Sequence, residues 1–407
     1  MSVITIVGAV FSNKSAIIKE LSAGSEYREI ALKDIVAGAV KTSGMNEAKI
    51  VAAFSAKTSV FNRFTHEKER SVAHLRLALA NIMQEDNLLI TGPVSFLIPE
   101  KISHVLRVCL VAELKYRIHQ AVQREGVAEK TALQQIRQQD EDLAVWLKML
   151  NLGEDPWAPS LYDIVIPMDK TDLPAARVLI EEKAKSDVVA KTAHSQAAVA
   201  DFLLAAQVDV KLAQEGHNVM VDAKNGSITL TINKNVLMLA RLEEDLKTIV
   251  EKVPGVVSVN TRIGQGFHQP DIYRKYDFEM PSKVLLVDDE RDFVQTLSER
   301  LIMRDMGSAV AYDGESALSM IREEEPEVMI LDLRMPGIDG IEVLRQVKAS
   351  NPNIEVIVLT GHGTEKDKGI CMELGAFAFL QKPVDIQLLS QTLIKANEKV
   401  QGKKNQG

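Results

Sequence analysis

The apolar positions of the chain follow two periods, and the way these alternate divides it into three zones. In the first zone, residues 1–185, "ITIVG", "NLLITGPVSFL" and "VLRVCLVA" are short apolar runs bounded by turn residues, the pattern of buried parallel strands. "AELKYRIHQAVQREG" and "EKTALQQIRQQDEDLAVWLKML" instead carry apolar residues at helical spacing. "SLYDIVIPM" reads as a last strand. Strands alternating with helices predict an α/β layer. In the second zone, residues 197–264, "VADFLLAAQVDVKLAQEG" is a helix stopped at Gly216. "HNVMVDAKNGSITLTIN" is a pair of strands turned at Asn225-Gly226, a strong hairpin signal. "VLMLARLEEDLKTIVEKV" and "GVVSVNTRI" add a helix and a strand, so the order is αββαβ. Residues 265–281 have no period and carry Gly and Pro, as a linker does. The third zone, residues 282–400, repeats strand and helix five times, with strands "KVLLV", "GSAVAY", "VMILDL", "IEVIVLT" and "AFAFLQ". That alternation predicts a parallel sheet covered on both faces. Residues 401–407, "QGKKNQG", read as a disordered tail.

Composition narrows the function classes. The 407 residues are 46% hydrophobic and 26% charged, an ordinary globular balance. The formal net charge of −8 argues against a broad nucleic-acid surface. No helix-turn-helix with a basic recognition helix is legible, so no DNA partner is expected. Cys109 and Cys371 are far apart, which disfavours a disulfide framework and suits a reducing cytoplasm. No apolar run reaches the ~18 residues needed to span a bilayer. Val3–Val7 lacks the flanks of a signal peptide and reads as a strand.

The third zone carries the clearest chemistry. Asp288 and Asp289 follow "KVLLV", Asp332 lies at the end of "VMILDL", Thr360 ends "IEVIVLT", and Lys382 follows "AFAFLQ". All five fall at the carboxyl ends of strands, where open α/β sheets place their sites. Three carboxylates gathered there suit a hard cation such as Mg²⁺. A lysine and a hydroxyl beside them can meet phosphoryl oxygens. Asp332 can then attack a phosphoryl donor and become an aspartyl-phosphate. Each acid alone reads better as a solvated loop residue; five residues at four strand ends do not.

With "VLLVDDE", "LDLRMPGIDG", "LTGHG" and "FLQKPVD" in this order, the zone resembles the receiver domain of two-component response regulators. The resemblance implies a flavodoxin-like (βα)5 fold with Asp332 as phosphoacceptor. It implies Mg²⁺ held by Asp288, Asp289, Asp332 and the backbone carbonyl of Arg334. It implies that Thr360 and Lys382 bind the phosphoryl group and that Phe379 is the switch aromatic. A sensor histidine kinase is the implied partner, and the resemblance allows a homodimer through this domain. Family members mostly place the receiver first; here it comes last.

In the second zone, "VDVKLAQEGHNVMVDAKNGSITL" and "EEDLKTIVEKVPGVVSVNTRI" resemble a BON domain, a small α+β module. No catalytic group is evident there, and His217 reads as a turn residue. An interaction or spacer role is expected.

The first zone opens on "GAVFSNKS", which departs by one residue from the phosphate-binding pattern G-x-x-x-x-G-K-[ST]. Asn13 stands where the second glycine belongs. Asparagine is enriched among left-handed residues, so the turn can survive. Lys14 and Ser15 are then the candidates for a nucleotide phosphate. With "ITIVG…NKSAIIKEL", "LLITGPVSFLI", "VQREGVAEKTALQQIRQQDE" and "DPWAPSLYDIVI", residues 3–183 resemble the cytidylate kinase-like family of P-loop kinases. The departures fall on chemistry: Pro93 replaces an arginine, Asp142 and Leu143 stand where cations are expected, and Pro167 replaces an asparagine. Arg117 and Arg137 remain as cations.

Phosphoryl transfer depends on positioning and charge neutralisation, so these losses cost rate more than fold. The expectation is a cytoplasmic response regulator. Its receiver takes a phosphoryl group and relays that state to a degenerate nucleotide-kinase-like domain and an unknown downstream protein. The alternative is an enzyme: a nucleoside monophosphate kinase, using ATP or another nucleotide, whose activity the receiver gates.

Overall fold

The computed structural model describes residues 2–24, 26–56, 67–233, 239–264, 283–302, 306–361 and 363–404. They fall into two compact units, one holding the first two zones and the other the third. The expected linker, 265–281, lies outside the described residues.

The first zone builds a parallel sheet in the order β2-β3-β1-β4-β5. Its strands are β1 (Val3–Gly8), β2 (Arg28–Ile30), β3 (Leu88–Thr91), β4 (Val105–Val111) and β5 (Ile164–Pro167). The central strands β1 and β3 are buried along almost their whole length and mostly apolar, because helices cover both faces. The edge strand β2 was not read from the sequence: three residues, two of them exposed, carry no apolar period. Pro167 ends β5 at the other edge, and the bond to Val111 O on β4 is made by the N–H of Met168 at 2.7 Å. The helices are α1 (Lys14–Gly24), α2 (Leu32–Ser43), α3 (Glu47–Ala52), α4 (Glu67–Ile82), α5 (Leu114–Glu125), α6 (Glu129–Met149) and α7 (Leu173–Ala184).

The second zone forms the expected αββαβ order: α8 (Ala193–Gln214), β6 (Met220–Lys224), β7 (Ser227–Ile232), α9 (Leu239–Val250) and β8 (Ser258–Ile263). Strands β6 and β7 are antiparallel, and β8 joins β7 in parallel. The hairpin turns at Asn225 (φ 50°) and Gly226 (φ 81°), two left-handed residues as this turn requires. A side chain on Gly226 would also meet Val257 Cγ2 at 2.7 Å. Gly216 (φ 79°) ends α8, and the N–H of His217 donates back to Leu212 O.

Helix α8 begins at Ala193, ahead of the sequence boundary at 197, and serves both zones. Ala198, Val199, Phe202 and Ala206 belong to the buried cluster of the first zone, with Leu75, Leu79 and Trp146. Ala205, Val208 and Leu212 belong to the cluster under the small sheet. Polar contacts reinforce this sharing. Arg76 on α4 pairs with Asp209 on α8, and Lys101 reaches Asp222 at 2.8 Å and Ala223 O at 2.9 Å. The first two zones thus pack as one unit.

The third zone is a five-stranded parallel sheet in the order β10-β9-β11-β12-β13, as its alternation predicts. The strands are β9 (Val284–Val287), β10 (Ser308–Ala311), β11 (Val328–Leu331), β12 (Glu355–Thr360) and β13 (Ala378–Gln381). The helices are α10 (Arg291–Ile302), α11 (Gly314–Glu323), α12 (Gly340–Ser350), α13 (Glu365–Glu373) and α14 (Ile386–Lys404). One apolar cluster lies on each face of the sheet. The expected tail at 401–407 is corrected in part. Helix α14 continues to Lys404 because Gln401 bonds Glu327 and Lys399 pairs with the fully buried Glu355 at 3.1 Å. Residues 405–407 lie outside the described residues.

Candidate functional site

Register places the third-zone residues together. Val287 is level with Leu331, and Thr360 with Gln381. The ladders then run one step further: Asp332 N donates to Val287 O at 2.9 Å, and Lys382 N donates to Thr360 O at 2.9 Å. Asp288, Asp332, Thr360 and Lys382 consequently surround one point at the carboxyl end of the sheet. Asp288 and Asp332 are each 5% exposed and Thr360 is fully buried. One ligand oxygen from each of Asp288, Asp289 and Asp332 falls within 4.8 Å of the others. The ammonium of Lys382 lies 2.6 Å from Asp288 Oδ2 and 3.4 Å from Asp332 Oδ2. It also meets Glu290 at 2.9 Å and sits 4.4 Å above the ring of Phe293.

These contacts set the charge states. Burial pushes the Asp288 carboxyl up, and the bond from Lys382 pulls against that shift. Burial works against the charge on Lys382, but its bonds to Asp288 and Glu290 outweigh this and raise it. Asp332 Oδ1 accepts from Leu333 N at 2.7 Å, which fixes the carboxylate plane. Three acids with one lysine leave an excess of negative charge, and all the donor atoms are carboxylate oxygens. That donor set fits a hard divalent cation.

Glycines allow the close packing around these groups. A side chain on Gly340, the first residue of α12, would lie 2.1 Å from Asp332 O. Arg334 follows in the loop between β11 and α12, its side chain exposed. A side chain on Gly363 would lie 2.5 Å from Phe379 Cζ and 2.7 Å from Thr360 Cγ2. The half-buried Phe379 ring and Thr360 therefore converge on that glycine.

Residues 284–394 match the family model described as the response regulator receiver domain. This segment is a receiver domain. Residues 3–170 match the model of the cytidylate kinase-like family. Solved structures similar to the receiver include a receiver domain protein from Clostridium thermocellum, 32% identical, covering 29% of this chain and 96% of that one, TM-score 0.29. A Francisella receiver domain is 29% identical, with 30% and 98% coverage and a TM-score of 0.28. NtrX from Brucella abortus, solved in complex with ATP, is 28% identical over 30% of this chain and 28% of its own, TM-score 0.29. The likeness to NtrX thus spans under a third of that protein.

At the kinase-like domain the loop between β1 and α1 has Phe11 at φ 60° and Asn13 at φ 61°. Asn13 thus adopts the left-handed conformation that a glycine usually supplies. Lys14 opens α1, and its stem passes Gly8, where a side chain would meet Lys14 Cδ at 3.1 Å. Burial pushes the Lys14 ammonium down. Ser15 is exposed in the first turn of α1, and Arg137 is exposed on α6. The departing residues have structural roles instead. Pro93 O accepts from Trp146 Nε1 at 2.9 Å, Asp142 accepts from Ala56 N at 2.7 Å, and Leu143 packs on the core.

Sequence reasoning missed Glu290 beside Lys382, and Tyr116, Arg124 and Asp140 beside the loop. Arg117 and Arg124, seven residues apart on α5, share a helix face, and that spacing was the available signal. Nothing local marks Asp140 as a partner of Arg117.

Proposed function

We propose that the chain is a response regulator whose Asp332 accepts a phosphoryl group from a sensor histidine kinase. The convergence of Asp288, Asp332 and Lys382 at the strand ends carries this reading. A carboxylate oxygen of Asp332 attacks phosphorus, the P–N bond to the donor imidazole breaks, and its electron pair returns to that nitrogen. Asp288, Asp289, Asp332 and the carbonyl of Arg334 would hold Mg²⁺, which supplies charge neutralisation at the phosphoryl oxygens. Lys382 exchanges a carboxylate partner for a phosphoryl oxygen. Thr360 offers its hydroxyl to another, and Phe379 follows Thr360 inward past Gly363. The change is relayed to the kinase-like domain, and the BON-like module acts as a spacer or interaction surface.

Incubation with acetyl phosphate and Mg²⁺ followed by intact-mass measurement tests this. Wild type gains one phosphoryl group, chelation of Mg²⁺ abolishes the gain, and Asp332→Asn gains none. An adduct that persists in Asp332→Asn sinks the assignment.

The left-handed Asn13 and the retained Lys14 favour a second reading, a nucleoside monophosphate kinase gated by the receiver. Lys14 and Ser15 would meet the nucleotide phosphates at the start of α1. Calorimetry with ATP and CMP, with assay for CDP, on protein treated with acetyl phosphate and Mg²⁺ decides it: CDP formation establishes the enzyme, and failure to bind either nucleotide removes it.

A further inference from the structure

Two cations beside the kinase-like loop, Arg117 and Arg124, are turned onto the protein itself. The buried Arg117 guanidinium donates through Nη1 and Nη2 to the two carboxylate oxygens of Asp140, both at 2.8 Å, and through Nε to Val10 O at 2.9 Å. This is a bidentate pair of the kind guanidinium makes with phosphate. The Asn13 side chain is held from both sides: its Nδ2 donates to Tyr116 Oη at 2.7 Å, and its Oδ1 accepts from Arg124 at 3.0 Å. Ser12 donates its hydroxyl to Ala9 O at 2.7 Å. Helix α5 thus grips the loop at Val10 and Asn13, and Asp140 on α6 occupies the guanidinium that lies nearest.

We propose that Asp140 acts as an internal substitute for a phosphate, closing the loop as a latch, so that a nucleotide polyphosphate binds only after the Arg117–Asp140 pair opens. The proposal rests on the loop being the phosphate site of the kinase-like domain. Affinity in the resting protein is reduced by the fraction of molecules with the pair open. Removing the Asp140 charge leaves a buried guanidinium without its anion, and that guanidinium then favours any anion that reaches the loop.

The test is calorimetric titration of the full chain with Mg–ATP, and separately with inorganic pyrophosphate. Wild type is compared with Asp140→Asn and with Asp140→Ser, and tryptophan emission checks that each variant is folded. The expected result is binding by both variants at least about tenfold tighter than by wild type, for both probes. Equal affinity in wild type and variants overturns the latch and leaves the loop as a phosphate site. Silence in all three proteins overturns the latch together with that reading of the loop.

Discussion

Truncation of Phe202 to alanine separates two ways of dividing the chain. Phe202 lies in the zone that the sequence assigns to the small αββαβ module, yet it is 1% exposed in the core of the kinase-like domain. A fully buried Phe→Ala change costs about 3–5 kcal/mol, the sum of lost transfer energy and the cavity left behind. Helix α8 is held at its start by Ser195, whose Oγ lies 2.6 Å from His104 Nδ1, and further along by Asp209, so it cannot collapse freely into the gap. The upper part of the range is therefore expected. Both tryptophans of the chain, Trp146 and Trp157, lie in this unit and none in the receiver, so tryptophan emission reports on the unit alone. With an m-value of about 3 kcal/mol/M, the urea midpoint of that emission should fall by about 1.3–1.7 M. An unchanged emission midpoint, with loss seen only in far-UV circular dichroism, would refute the shared core and restore α8 to an independent module.

Two further outcomes follow from the geometry. Gly340→Ala leaves every charged group of the receiver site in place but sets a methyl 2.1 Å from Asp332 O, so Asp332 or α12 must move. Acetyl-phosphate labelling should fall at least about tenfold, and labelling at the wild-type rate would show that the placement of α12 does not matter. The third concerns pH. Burial pushes the Asp209 carboxyl up to about 6 from an ordinary 3.8, against the pull of Arg76. The folded state therefore holds this proton between pH 4 and 6 where the unfolded chain has released it. The contribution is favourable below pH 4 and is lost as pH rises through 6. At ~1.4 kcal/mol per pH unit this amounts to about 3 kcal/mol. Urea unfolding followed by tryptophan emission should show that Asp209→Asn removes this fall; an identical pH slope in wild type and variant would contradict it.

The elements were largely legible because their signals are local. The hairpin at Asn225-Gly226, the stop at Gly216 and the five strand–helix repeats of the receiver depend on neighbouring residues and a fixed period. The receiver site was legible for the same reason: strands of a parallel sheet end at one edge, so Asp288, Asp332, Thr360 and Lys382 had to meet once the strands were identified. The left-handed Asn13 was also readable, since its conformational preference belongs to the residue itself. The short strand β2 was not, because three residues are too few to show a period.

What the sequence determined by itself was therefore the order of elements, the receiver carboxylates and the altered loop after β1. Only the tertiary structure decided which groups those residues face. It set Asp140 on Arg117, Tyr116 and Arg124 on Asn13, Glu290 on Lys382, and Phe202 in the core of the kinase-like domain. Periodicity specifies which side of a helix is apolar and not which neighbour covers it. A helix such as α8, apolar on more than one face, can close two cores at once. The partner of a buried charge is chosen by whichever segment the packed chain brings within about 3 Å.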